Sequence, residues 1–120
     1  ETELYPVKMP LAYLADGVVR GAIKPIAFDQ KTMQNQVDHL DLWVNRTRRL
    51  CRSGVNPDAL MLAFDEQSAQ SYQIKAYTQE KRRELEAELN VNTADTTDVE
   101  GLVQFAQARA YSGIGGPLRV

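Results

Sequence analysis

Few residues in this chain are of the types that run reactions. His39 is its one histidine and Cys51 its one cysteine, so neither can belong to a multi-histidine or multi-cysteine metal site. On a straight helix the two would sit about 18 Å apart, too far for a thiol and its base within one subunit. Cys51 also falls on an apolar stripe, which makes it a packed thiol rather than a nucleophile. Asp38 and Asp41 flank His39 but leave a helix on different sides, so His39 reads as a partly exposed helical residue.

Glu80, Glu84, Glu86 and Glu88 are the densest carboxylates, yet they alternate with Lys81, Arg82 and Arg83. That pattern is a solvated helix face rather than a glycosidase pair. No Glu-x-x-His pair suggests a di-iron bundle. Gly113, Gly115 and Gly116 lack the preceding strand and the Lys-Ser/Thr of a phosphate loop. Asn45-Arg46-Thr47 matches the glycosylation sequon, but inside a helical pattern it carries no weight.

One cluster could hold a ligand. Arg46, Arg48, Arg49 and Arg52 follow Trp43, and guanidinium groups hold phosphates while an aromatic ring stacks on a base. Arginines near a helix C-terminus are also expected from the helix dipole alone. Lys plus Arg number 14 against 16 Asp plus Glu, a net charge of -2, so overall charge gives no pull toward nucleic acid. A nucleic-acid-associated adaptor using these five residues is therefore the alternative reading, and nucleic acid is not the expected partner.

The elements that would position these residues read as mainly helical. With 120 residues, 43% of them apolar and 25% charged, the chain is long enough for one domain. Residues 1–28 carry Pro6, Pro10 and Pro25 with Gly17 and Gly21, which argues against a long helix and suggests an extended arm. Within it, Leu11 to Val19 is either a hairpin around Asp16-Gly17 or a short helix opened by Pro10. The short helix is preferred.

Residues 29–90 are expected to form an antiparallel helical hairpin. Met33, Val37, Leu40, Val44, Thr47 and Cys51 recur at helical spacing, with Asp29 as N-cap and Gly54 as the stop. Asn56-Pro57-Asp58 then reads as the start of a second helix whose apolar opening, Ala59 to Phe64, packs on the first. Residues 91–97 read as a linker rich in Asn, Thr and Asp. Residues 98–112 read as a short helix opened by a Thr97-to-Glu100 capping box, and 113–120 as a Gly-rich tail. No apolar run approaches the roughly 20 residues of a membrane-spanning helix.

The expected fold class is thus mainly α, with arm, helical hairpin, short helix and tail. No catalytic residue, cofactor or metal site follows from it. The apolar arm, with Leu4, Tyr5, Val7, Met9, Leu11 and Tyr13, and the tail residues Leu118 and Val120 suggest contact with other protein subunits. The expected role is a non-enzymatic structural or assembly subunit of a larger complex, such as a virion-like particle. An accessory subunit of an enzyme complex is a further alternative.

Overall fold

The computed structural model describes residues 2–4, 7–9, 11–15 and 18–114, with side chains described over 21–109. The order of elements is β1 (Thr2–Leu4), β2 (Val7–Met9), β3 (Leu11–Ala15), β4 (Val18–Ala27), α1 (Met33–Arg52), β5 (Leu60–Asp65), α2 (Tyr72–Glu88), β6 (Asn92–Asp95) and α3 (Val99–Ile114). A four-stranded sheet runs β3-β4-β5-β6, antiparallel between β3 and β4 and parallel across β4, β5 and β6. β1 and β2 form a separate antiparallel ribbon.

This is a mixed α/β fold, which corrects the mainly α expectation. The decisive segment is Leu60–Asp65. Its apolar run is the central strand β5, and the Pro57–Ala59 turn before it is a single 3-10 turn capped by the Asn56 side chain. An unbroken apolar run of this length suits either a buried helix or a strand buried on both faces, and periodicity cannot separate them. Parallel strands need a crossover, so the second helix had to follow β5 rather than include it.

The expected antiparallel helix pair is corrected as well. Tyr77 OH donates to Asp41 Oδ1 at 2.5 Å and Arg48 Nη2 to Glu84 Oε2 at 2.9 Å, both joining residues 36 apart. A constant offset means that α1 and α2 run parallel. They do so because β5 carries the chain back between them.

The two faces of the sheet pack separately. Ala22, Ile26, Leu60, Leu62 and Phe64 meet Leu40, Trp43, Val44 and Leu50 of α1 with Ile74 and Leu85 of α2. On the opposite face Ile23, Met61, Ala63 and Ala94 meet Phe105 and Leu102 of α3. Successive strand residues serve opposite layers, as period-2 alternation requires.

Several boundaries move for local reasons. Thr32, not Asp29, caps α1, its hydroxyl accepting from Asn35 N–H at 3.1 Å. Gly54 at φ 104° stops that helix as expected. Ser71 caps α2, and Asn90 at φ 59° turns the chain out of it. Within the expected linker lies β6. Asp98, not Thr97, opens α3, its carboxylate accepting from Gly101 N–H at 3.0 Å. A Cβ at Gly101 would collide with that carboxylate. α3 runs on through Ser112 and Gly113 to Ile114.

Leu11–Ala15 and Val18–Ala27 are strands rather than an arm or a short helix, and they pair as an antiparallel hairpin; Asp16 and Gly17 themselves lie outside the described residues. Pro25 is tolerated because β3 pairs with β4 only as far as Ile23, so Pro25 has a strand neighbour on one side alone. Among the described residues no helix is long and apolar enough to cross a membrane.

Leu40 is fully buried beneath α1. Leu40→Ala should cost on the order of 2–5 kcal/mol, a large share of the stability of so small a domain. Gln36 faces outward on helical spacing but donates to Gln30 O at 2.9 Å, so the exposed Asn45 serves as the control. Urea unfolding of Leu40→Ala and Asn45→Ala should give well-separated midpoints, and equal midpoints would refute the packing described.

Candidate functional site

Parallel strands gather their following loops at one edge of the sheet, and in open α/β folds ligands bind there, outside the carboxyl ends of the strands. Here each parallel strand reaches that edge with an aspartate: Asp29 just after β4, Asp65 closing β5 and Asp95 closing β6. Ile26-Ala27-Phe28-Asp29 and Leu62-Ala63-Phe64-Asp65 match at three of four positions, at the same 36-residue offset that relates the helix contacts. This echo was the available signal for two strand ends, which helical periodicity alone passes over, although the register pairs Ala27 with Asp65 and so sets Asp29 two residues further along.

Ser68 ties the first two strand ends together. Its hydroxyl accepts from Phe28 N–H at 2.8 Å and donates to Asp65 O at 2.7 Å. Beside this latch a cleft of about 430 Å³ opens between the β4–α1 and β5–α2 loops. Its walls include Phe28, Asp29, Gln30, Lys31, Met33, Gln36, Ser68, Gln70 and Ser71. Both α1 and α2 begin at it, and the first-turn amides of Met33, Gln34 and Tyr72 have no carbonyl partner within their own helices. Gln30 Oε1 is buried with no hydrogen-bond partner. Met33 is 47% exposed at this rim, and Tyr72, next to Ser71, is 81% exposed.

On the other side of the α2 N-terminus, Arg82 organises the β6 end of the edge. Its Nε donates to Thr93 Oγ1 at 3.1 Å and its Nη1 lies 3.4 Å from Glu66 Oε2. Gln79 also donates to Glu66, and Thr93 donates to Glu86. Burial, then a hydrogen bond that the protonated carboxyl donates to the facing Asp95, pushes Glu66 above its ordinary value of 4.5. The Thr97 hydroxyl and amide, both donating to Asp95, hold that carboxyl below its ordinary 3.8. Two neighbouring carboxyl groups are thereby driven apart, one toward the acid and one toward the carboxylate. Among the described residues no three His, Cys, Asp or Glu side chains converge to hold a metal ion.

The residues singled out from the sequence lie elsewhere. His39 and Cys51 are both on α1, His39 in its first half and Cys51 in its last turn. The Cys51 thiol is pushed up by burial. Burial, then the nearby Lys24 charge, lowers the His39 pKa. Trp43 is 6% exposed and inside the core, with Lys24 Nζ and the Arg46 guanidinium 4.2 and 4.8 Å from its ring centroid. Arg48 is drawn to Glu84, and Arg49 and Arg52 sit in the last turn of α1. The arginine cluster is therefore not one surface. Leu4, Val7 and Met9 fall in β1 and β2, and Leu11 and Tyr13 in β3. Tyr5, Leu118 and Val120 lie outside the described residues.

No protein-family model, curated protein or solved structure matches this chain.

The carboxyl pair gives a pH signature. Asp95, held low, adds stability that is present above its ordinary range and lost as pH falls through its depressed folded value. Glu66, held high, works in the other direction: stability declines as pH rises from its ordinary 4.5 through its raised folded value. Glu66→Gln should abolish the decline on the neutral side and keep the loss in acid. Urea midpoints measured from acid to neutral pH check this, and an unchanged neutral limb in the variant would show that Glu66 is not the group responsible.

Proposed function

We propose that this chain is a non-catalytic binding module that takes a small polar ligand in the cleft at the carboxyl edge of its sheet. The observation that carries this reading is Gln30 Oε1, a buried acceptor with no hydrogen-bond partner on the wall of a cleft where two helices begin. An unpaired buried acceptor costs roughly 1–3 kcal/mol, which a ligand donor would recover. The helix N-termini favour an anionic group on the same ligand. A small zwitterion of the free amino acid type satisfies both, and the cleft volume lies in the usual range for small-molecule sites. A binding rather than catalytic role is supported by the engagement of Glu66 and Asp95 with Arg82, Gln79 and Thr97.

The test is thermal unfolding in the presence of free amino acids. A ligand at about a hundredfold over its Kd adds roughly 2.7 kcal/mol, a rise of many degrees in Tm for a chain of this size. At least one amino acid should raise the Tm of the parent protein and fail to raise that of Gln30→Leu. No shift with any of them, or an equal shift in the variant, would reject the proposal.

A second reading keeps the assembly role, because among the described residues β3 is an edge strand of its sheet and Val18 to Gly21 of β4 pair with β3 alone. A two-stranded ribbon is marginal by itself in water, and an apolar edge is a template for another strand. On this reading a neighbouring subunit pairs with Leu11–Ala15. Removing residues 1–9 or placing Lys at Tyr13 should then lower the native mass while circular dichroism stays constant. A monomeric parent protein would end it.

A further inference from the structure

Most polar groups around the cleft are already committed within the fold. The Ser68 hydroxyl joins Phe28 to Asp65. The Ser71 hydroxyl accepts from the Gln73 and Ile74 amides and donates to Gln73 Oε1 at 2.7 Å. Gln36 donates to Gln30 O, and Gln30 Nε2 donates to Ala27 O at 3.4 Å. Among the described residues, the polar side chains on the wall that make neither a hydrogen bond nor an ion pair are Asp29, Lys31 and Gln70, and to these the buried Gln30 Oε1 is added. Asp29 is felt at His39 through its field, without an ion pair. An anion, a buried acceptor and a cation thus stand at consecutive positions on one wall, and both charged residues are exposed. Neither α1 nor α2 has an acidic residue in its first turn, and Lys31 comes immediately before Thr32, the N-cap of α1. A cation at that position is unfavourable to the helix, whose N-terminus already carries positive partial charge, but favourable to an anion lying against it.

On the small-ligand reading of the cleft, from which this step proceeds, we propose that the ligand is an α-amino acid with both ends free and an uncharged side chain. Asp29 and the Gln30 Oε1 acceptor take its ammonium, and Lys31 with the helix-start amides takes its carboxylate. Among the described residues lining the cleft, Asp29 and Lys31 are the charged ones, and each is used once. A charged side chain on the ligand would give up hydration and find no counter-charge on the wall. A peptide bond at either end of the ligand would remove one of its charges and leave Asp29 or Lys31 unanswered.

In thermal unfolding, neutral free amino acids should raise the Tm, and aspartate, glutamate, lysine and arginine should raise it less. The neutral amino acid with the largest shift is then titrated by calorimetry beside its N-acetyl derivative and its carboxamide, each of which lacks one charge. Both derivatives should bind about tenfold more weakly, the order of one lost charge-assisted contact. Asp29→Asn should weaken the free amino acid by a similar factor and leave the affinity for the N-acetyl derivative unchanged, because the ammonium that Asp29 would meet is already gone. Lys31→Gln should behave in the same way toward the carboxamide. Asp38→Asn, which removes an exposed carboxylate of α1 outside the cleft wall, should leave every affinity unchanged. Without ligand the Asp29 and Lys31 variants should unfold at the parent Tm, as exposed side chains without partners allow. No shift with any amino acid would remove the small-ligand reading itself. Binding in which charged and neutral side chains do equally well, in which both cleft variants match the parent, or in which Asp38→Asn weakens affinity as much as Asp29→Asn, would overturn this assignment and leave that reading standing.

Discussion

Leu60, Leu62 and Phe64 face one layer from β5 while Met61 and Ala63 face the other, and all five are 6% exposed or less. A strand buried on both faces has nothing to offer water. Its backbone groups must be met by strands on both edges, and its side chains by helices above and below. β4 and β6 supply the edges, α1 and α2 cover one face, and α3 covers the other. The order of elements follows from that requirement, since each parallel neighbour of β5 needs a crossover helix to return the chain to the same end of the sheet.

The same requirement places the polar residues. Parallel strands deliver their loops to a common edge, so Asp29, Asp65 and Asp95 arrive together although they are far apart in the chain. Ser68 and Arg82 then manage the consequences. Ser68 joins the β4 and β5 ends through one hydroxyl that both accepts and donates. Arg82 reaches from α2 to the β6 side, where it meets Glu66 and Thr93 and lies 5.7 Å from the Phe64 ring centroid. At the opposite edge Arg109 does comparable work, donating to Asp58 from α3 while stacked 4.0 Å from the Phe105 ring centroid.

Parallel packing of α1 on α2 also sorts the charges of α1. Asp41 and Arg48 face α2, where Tyr77 and Glu84 receive them; burial, then the Asp41 contact, pushes the Tyr77 hydroxyl up to about 12. Arg46 instead lies 4.8 Å from the Trp43 ring centroid, a ring that Lys24 of β4 also approaches. Residues adjacent in sequence thus enter different electrostatic environments, because a helix distributes its neighbours around 3.6 residues per turn.

The sequence by itself determined a long helix along the Met33-to-Cys51 stripe, though not its start, its stop at Gly54, a helical charged segment through 80–88 and a last helix after 98. These are set by local spacing and by caps that act within a few residues. It also excluded a multi-cysteine or multi-histidine site, which depends on composition alone. The tertiary structure decided whether Ala59 to Phe64 was a helix or a strand, because an apolar run is compatible with both until its neighbours are known. The same holds for Leu11 to Ala27 and for Asn92 to Asp95, short segments whose strand character comes from pairing across the sheet. The cleft, the Glu66 and Asp95 pair and the approach of Lys24 to Trp43 depend on contacts between distant residues, and those contacts exist only once β5 has drawn both edges and both faces around it.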